Sequence, residues 1–194
     1  ILAELRDYRR HGMDGLVEVI LGQPDLSRLQ EGVVAYDASS YRRYATLALQ
    51  AGMAGPHVVN SAAAWPVNEA LGTGVNLGEG VWPQAVKDGV AAVAKAAVEA
   101  TRDVPAPWYY YGVDEPTGDN TYAIQDYQCW HAGGARTYAT FYNLGFLEKA
   151  AEFLTAPCFV SGLISHEERS REARETCAKT GAEFWWYGTG SYVN

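Results

Sequence analysis

The sequence predicts a parallel α/β fold, a (β/α)8 TIM barrel truncated at both ends, with about six βα units in residues 1–194. Predicted strands begin near residues 108, 136, 157 and 183, which are about 28, 21 and 26 residues apart. A helical pattern fills each interval, as is typical of βα units. An open doubly wound sheet is the alternative, but no glycine-rich phosphate loop follows any strand. We therefore expect one partial barrel domain over residues 1–194.

Each predicted element follows from a local pattern. Helices are indicated by apolar residues at helical spacing and end at glycine or proline. Strands are indicated by short apolar or aromatic runs. The predicted helices cover residues 1–10, 39–50, 84–102, 121–131, 144–154 and 165–180. The predicted barrel strands cover residues 15–21, 57–60, 108–113, 137–142, 157–161 and 182–187, and a small hairpin or excursion lies between residues 22 and 37.

Residues 61–82 form a glycine-rich connection that includes Trp65 and Trp82. It is longer than the usual connection in a compact domain, and such segments either bind ligands or are mobile. The tryptophans favour a binding loop that folds over a site, and a mobile loop is the alternative.

Composition excludes several classes of function. The net charge of −8, without any basic run, argues against nucleic-acid or anionic-membrane partners. No apolar stretch is long enough to span a membrane. Cys129, Cys158 and Cys177 have neither metal-ligand nor disulfide-framework spacing, so we expect buried free thiols. The sequence predicts no metal and no cofactor.

The segment with the most chemical content is Trp108-Tyr-Tyr-Tyr-Gly-Val-Asp-Glu-Pro116. An aromatic strand leads directly into two carboxylates, Asp114 and Glu115, and Pro116 prevents the strand from continuing. In a parallel barrel, the carboxyl ends of the strands form the active-site face. Alternatively, the two acids cap a following helix or lie in a solvated turn.

Residues 111–116 (YGVDEP), supported by Trp185-Trp186-Tyr187, resemble glycoside hydrolase barrels that carry the acid/base glutamate at the end of the fourth strand. The nearest likeness is to glycoside hydrolase family 123 and its relatives of the domain-of-unknown-function 4091 type. These resemble the family 20 hexosaminidases in using an adjacent Asp-Glu pair. The resemblance implies an oligosaccharide or glycoconjugate substrate with β-linked N-acetylhexosamine, N-acetylgalactosamine first, and suggests a secreted or periplasmic protein.

The same resemblance implies a substrate-assisted, retaining mechanism. The 2-acetamido oxygen of the substrate would attack, Asp114 would orient the acetamido N–H, and Glu115 would be the acid/base. Adjacent strand residues point to opposite sides, so Asp114 and Glu115 are not expected to face each other across a bond. Ordinary retaining enzymes of this barrel type carry a nucleophilic glutamate at the end of strand seven. Here that position reads Trp185 to Gly190, without a carboxylate.

Several further side chains are candidates for substrate binding. Tyr187 or Tyr142 could donate to the acetamido oxygen, and Trp185 or Trp186 could stack on a sugar; packing in the barrel is the alternative for each. Asn143 could bind a hydroxyl group or cap a helix, and Trp65 lies in the long connection. Three other functions stay open: a retaining glycosidase with its nucleophile outside residues 1–194, a non-catalytic carbohydrate-binding barrel, and a metal-dependent lyase or isomerase.

Overall fold

A six-stranded parallel sheet forms the centre of the protein in a computed structural model that describes residues 1–188. Its neighbouring strands follow the order of the sequence. They are Val19–Ile20 (β1), His57–Asn60 (β4), Trp108–Tyr111 (β5), Thr137–Phe141 (β6), Ala156–Val160 (β7) and Trp185–Tyr187 (β8). Between β1 and β4 an antiparallel hairpin joins Gln23–Asp25 (β2) to Ala35–Asp37 (β3), close to the predicted excursion.

In the described part of the chain, one helix precedes β1, and the other seven lie between successive strands. The helices are Leu2–Arg10 (α1), Ser39–Gln50 (α2), Ala64–Ala70 (α3), Gln84–Thr101 (α4), Thr121–Ala132 (α5), Leu147–Ala150 (α6), Ser161–Ile164 (α7) and Glu167–Thr180 (α8). Single 3-10 turns occupy Leu29–Glu31 and Ala151–Phe153. Among residues 1–188, no helix is both long enough and apolar enough to cross a membrane.

The two faces of the sheet differ in what they contact. The helix face packs strand residues such as Val59, Tyr110 and Phe159 against α2 to α8 in one large core. The opposite face, here called the tyrosine face, presents Tyr109, Tyr111, Tyr138, Trp185 and Tyr187. The buried cluster on the tyrosine face, as far as the structure describes it, draws its residues from the strands alone. The helices therefore bury one side of the sheet and leave the other to aromatic side chains.

The sheet is strongly curled toward the tyrosine face. In a flat sheet β5 and β8, three strands apart, would lie about 14 Å from each other. Instead the rings of Tyr109 on β5 and Trp185 on β8 have centroids 5.1 Å apart, and Tyr109 donates a hydrogen bond to Glu183, just before β8. Side chains from distant strands thus meet across a concave surface.

The parallel α/β architecture predicted from the sequence is confirmed, and the three cysteines are buried free thiols as expected. In the described residues β1 and β8 are the two edges of the sheet and do not pair, so closure into a (β/α)8 barrel stays a prediction. Residues 189–194 of the predicted domain, including Thr189 and Gly190, lie outside the described residues.

Two predicted segments differ from the structure. The strand expected over residues 15–21 is reduced to Val19–Ile20, because Glu18 has a φ of 59° and breaks the extended backbone. The connection over residues 61–82 is not one continuous loop, since it contains α3 and buries Trp82 in the helix layer. The backbone N–H of Trp82 donates a hydrogen bond of 2.7 Å to the side-chain oxygen of Gln125 on α5.

Candidate active site

Three consecutive tyrosines on β5 each donate a hydrogen bond to a different carboxylate. Because strand side chains alternate, the first and third tyrosines lie on the tyrosine face and the second on the helix face. The pairs are Tyr109 with Glu183 at 2.7 Å, Tyr110 with Asp126 at 2.6 Å, and Tyr111 with Asp114. Only the third pair includes a residue of the predicted catalytic motif. It lies at the carboxyl end of the strand, where the chain leaves the sheet.

The turn after β5 is held from behind by α5. The Tyr127 hydroxyl accepts hydrogen bonds from the N–H groups of Gly112 and Val113 at 3.1 and 3.2 Å. A Cβ at position 112 would lie 2.4 Å from Asp126 Oδ2 and 2.9 Å from the Tyr110 ring, so no larger residue fits there. The backbone that leads to Asp114 is therefore fixed by contacts with a helix.

Asp114 and Glu115 are linked through one hydroxyl group on β6. Thr140 Oγ1 donates to Asp114 Oδ1 at 3.1 Å and accepts the backbone N–H of Glu115, also at 3.1 Å. Tyr111 donates to the same Asp114 oxygen and lies 2.9 Å from Thr140 Oγ1. Asp114 is thus oriented by two hydroxyl groups, while its side chain stays exposed.

Glu115 is turned toward the tyrosine face by its backbone. Its φ of 48° lies in the left-handed region that non-glycine residues rarely adopt. Its carboxylate accepts a hydrogen bond of 2.6 Å from Tyr187 on β8. Since Asp114 binds Tyr111 on that same face, the expectation that Asp114 and Glu115 point to opposite sides is wrong. The strand already ends at Tyr111, so strand alternation does not apply to them.

Two tyrosines surround the Glu115 carboxylate. Burial, followed by the hydrogen bond to Glu115, raises the pKa of Tyr187. The nearby Glu115 carboxylate raises the pKa of Tyr142, although the Tyr142 side chain is 51% exposed. Both hydroxyls are therefore protonated near neutral pH. Tyr142 and Tyr187, both nominated from the sequence, therefore lie close to Glu115.

The two tryptophans of β8 lie in different places. Trp185 is on the tyrosine face, where it packs against Tyr109 and Tyr138 and donates to Glu183 at 2.7 Å. It therefore sits toward the amino end of the strands, below the Asp114–Glu115 level. Trp186 points to the other side of the sheet and is 64% exposed. Of the three aromatic residues of β8 nominated from the sequence, Tyr187 contacts Glu115, and neither tryptophan has a described contact with it.

The remaining nominated residues have no described contact with the acid pair. Asn143 uses its side-chain oxygen to accept the N–H of Gly145 at 3.1 Å, which closes a local turn. Trp65 lies on α3 and is 50% exposed.

Sequence reasoning missed Tyr111, Thr140 and Tyr127 as parts of this site. Thr140 carried a usable signal, because it lies two residues before the nominated Tyr142 and strand side chains alternate. Tyr127 carried none, since an aromatic residue in a helix is ordinarily core.

Among residues 1–188, no three His, Cys, Asp or Glu side chains lie close enough together to hold a metal ion. Comparison with family models, with curated proteins and with solved structures gives no match for this chain.

Proposed function

We propose that the Asp114–Glu115 site hydrolyses β-linked N-acetylhexosaminides, with N-acetylgalactosamine favoured, by substrate-assisted retaining catalysis. The observation that carries the proposal is the arrangement of the two carboxylates. They lie on one concave, aromatic face, and each is held by a tyrosine hydroxyl of its own, Tyr111 for Asp114 and Tyr187 for Glu115. Each acid can therefore act on a different atom of one bound sugar.

In this mechanism the acetamido carbonyl oxygen of the substrate attacks the anomeric carbon and the glycosidic bond breaks. Glu115 gives its proton to the departing oxygen. Asp114 accepts a hydrogen bond from the acetamido N–H and disperses the positive charge that develops on the resulting oxazolinium ring. Water then attacks the anomeric carbon, Glu115 takes back a proton, and the acetamido group is restored with retention. Tyr111 and Thr140 keep Asp114 in the orientation that this step requires.

The proposal includes a barrel in the intact enzyme. The sequential strand order, the helices on one face and the contact between Tyr109 and Trp185 are what a (β/α)8 barrel requires of six successive strands. In such a barrel the active site lies at the carboxyl ends of the strands, and Glu115 lies just after the carboxyl end of β5.

The test compares, for the full-length protein and its variants, the hydrolysis of substrates that have poor or good leaving groups. Glu115→Gln should lower kcat/KM about 100- to 10,000-fold on a substrate with a poor leaving group, because no proton reaches the departing oxygen. The loss should shrink on activated aryl N-acetylgalactosaminides. Asp114→Asn should slow both substrates, because acetamido attack precedes departure in either.

A matched substrate supplies the control. Aryl galactosides that carry a 2-hydroxyl group should be turned over far more slowly than their 2-acetamido counterparts. Equal or faster turnover of the 2-hydroxy sugars would refute substrate assistance and favour a retaining glycosidase with its nucleophile elsewhere. Sugar binding that Glu115→Gln leaves intact, with no turnover by the wild type, would favour a carbohydrate-binding protein instead.

A further inference from the structure

A cavity opens at the carboxyl ends of β1 and β4, and Glu115 likewise follows the carboxyl end of its own strand, β5. Its volume is about 440 Å³, within the range of small-molecule sites. The side chains that matter for its chemistry are those of Ile20, Gln23, Pro24, Asn60, Ser61 and Pro66. All of these residues follow or end the first two strands of the sheet, so the cavity belongs to the carboxyl-end surface.

Asn60 joins this cavity to the acid pair. It lies one residue beyond the Val59–Tyr110 pair of β4 and β5, which places Asn60 beside Tyr111. Its strand neighbour Val58 belongs to the tyrosine face, so the Asn60 side chain projects from that face too. Tyr111 in turn donates to Asp114. The cavity therefore begins one strand away from Tyr111, the residue that holds the proposed catalytic aspartate, at a strand spacing of about 5 Å.

The Asn60 side chain has an unused hydrogen-bonding capacity. Its Oδ1 atom is inaccessible to solvent and has no hydrogen-bond partner among the described residues. A buried polar atom without a partner is unfavourable, and most such atoms in proteins are paired. Because this atom is shielded from solvent, a ligand hydroxyl would supply the missing donor after the Asn60 side chain rotates its amide into the cavity that the residue lines.

The wall opposite Asn60 is built by the β2–β3 hairpin. Tyr36 on β3 shares a hydrogen bond of 2.8 Å with Ser61, which ties the hairpin to the end of β4. The chain enters the hairpin at Gly22, whose φ is 153° and where a Cβ would lie 2.1 Å from the Asp37 carbonyl oxygen. The hairpin is thus fixed in position and presents Gln23 and Pro24 to the cavity.

The composition of the cavity selects its ligand. None of the residues that line it carries a charge. The amides of Asn60 and Gln23 and the hydroxyl of Ser61 can bind hydroxyl groups. Ile20, Pro24 and Pro66 offer apolar surface to the C–H face of a ring. A neutral pyranose combines these two kinds of surface, whereas a phosphate or a carboxylate would find no counter-charge.

We propose that this cavity is a second sugar subsite, which binds the neutral residue next to the N-acetylhexosamine at Asp114 and Glu115. The inference rests on the proposed function and deepens it, because it makes the preferred substrate an oligosaccharide. The hairpin inserted after β1 then acts as a specificity element of the enzyme.

Binding is measured in the full-length Glu115→Gln protein, where no turnover interferes. The probes are N-acetylgalactosamine and its β-1,3-linked disaccharide with galactose. We expect the disaccharide to bind about tenfold more tightly than the monosaccharide, and Asn60→Ala to abolish that advantage without weakening the monosaccharide. Asn76→Ala is the matched control, since its side chain only bonds locally to Gly78 at 3.1 Å.

Side-chain amide NMR signals distinguish the possible failures. The Asn60 amide should shift with the disaccharide and stay in place with the monosaccharide. Hydrolysis of aryl N-acetylgalactosaminides together with an unchanged disaccharide advantage in Asn60→Ala would overturn the subsite while the proposed function stands. The Asn60 signal could also shift only with the disaccharide while the wild-type protein hydrolyses neither the disaccharide nor aryl N-acetylgalactosaminides. That result would support the subsite and overturn the proposed function. Failure of both sugars to bind would overturn the subsite.

Discussion

Two adjacent tyrosines on β5 form the same kind of hydrogen bond in opposite surroundings. Tyr110 faces the helices, where its ring stacks on Trp130 at 3.9 Å and its partner Asp126 is 2% exposed. Tyr111 faces the other way, and its partner Asp114 is exposed and also bonded to Thr140. Burial raises the pKa of Asp126 to about 7, because the charged form loses its hydration.

The comparison shows how position decides the use of a carboxylate. Asp126 cannot meet a ligand, so it acts on the fold through Tyr110 and through its contact with Gly112. Asp114 is oriented by two hydroxyl groups and still has an accessible carboxylate. The helix face therefore contributes stability, and the tyrosine face presents the accessible carboxylate on which the proposed function rests. Substitutions on the two faces should separate these contributions.

Phe159→Ala should give the largest change in stability. Phe159 is fully buried on the helix face and packs against Phe141 and Phe184, with centroids 5.5 and 5.1 Å away. Truncation removes apolar contact and leaves a cavity, so the free energy of unfolding should fall by about 3–5 kcal/mol. Urea denaturation followed by circular dichroism measures the change.

Trp186→Ala is the control on the same face. Trp186 lies beside Phe159 in the parallel register but is 64% exposed. Its removal should cost less than about 1 kcal/mol. Equal losses for the two variants would contradict the assignment of Phe159 to the core.

Asp126→Asn should change how stability depends on pH. The native pKa of about 7 exceeds the unfolded value of 3.8, so the native state binds more protons between these values. The wild type should therefore be most stable below pH 3.8 as far as this group is concerned, and should lose stability as the pH rises to about 7. Asparagine cannot ionise, so the variant should gain several kcal/mol on the wild type at pH 8, about 1–2 kcal/mol at pH 5 and little near pH 3.5. Chemical denaturation at a series of pH values measures both.

The exposed Asp88→Asn provides the comparison for Asp126→Asn. This surface substitution should change the free energy of unfolding by less than about 0.5 kcal/mol. A stability difference between the wild type and Asp126→Asn that did not grow as the pH rises would contradict the raised pKa of Asp126.

Thr140→Val should have the smallest effect of the three on stability, with its main effect at the site. The isosteric change removes the acceptor of the Glu115 N–H and a donor to Asp114. We expect a loss of about 1–3 kcal/mol in stability and, if the proposed function holds, a fall of roughly 10- to 100-fold in kcat. Thr140→Ser keeps the hydroxyl and should restore both.

A readout independent of activity accompanies Thr140→Val. Hydrogen exchange at the Glu115 amide should become faster in the valine variant and stay slow in the serine variant. Unchanged exchange would show that Thr140 does not hold this backbone.

The sequence predicted most of the fold because its signals are local. The strand His57–Asn60 was predicted with its observed bounds, and the helix Ser39–Gln50 with its observed end. The strand at residues 15–21 was overestimated because nothing local reveals the positive φ of Glu18. The helix Ala64–Ala70 was missed because its surroundings are rich in glycine, although Ala64 and Val67 have helical spacing.

For the candidate site, the sequence by itself determined that two carboxylates follow an aromatic strand and that β8 ends in aromatic residues. Only the tertiary structure decided that Tyr187, 72 residues away, donates to Glu115 and that Thr140 links both acids. The physical reason is that sequence patterns report periodicity and propensity, which act over a few residues. Hydrogen bonds across a curled sheet depend on strand register and curvature, and these emerge only when distant segments pack together.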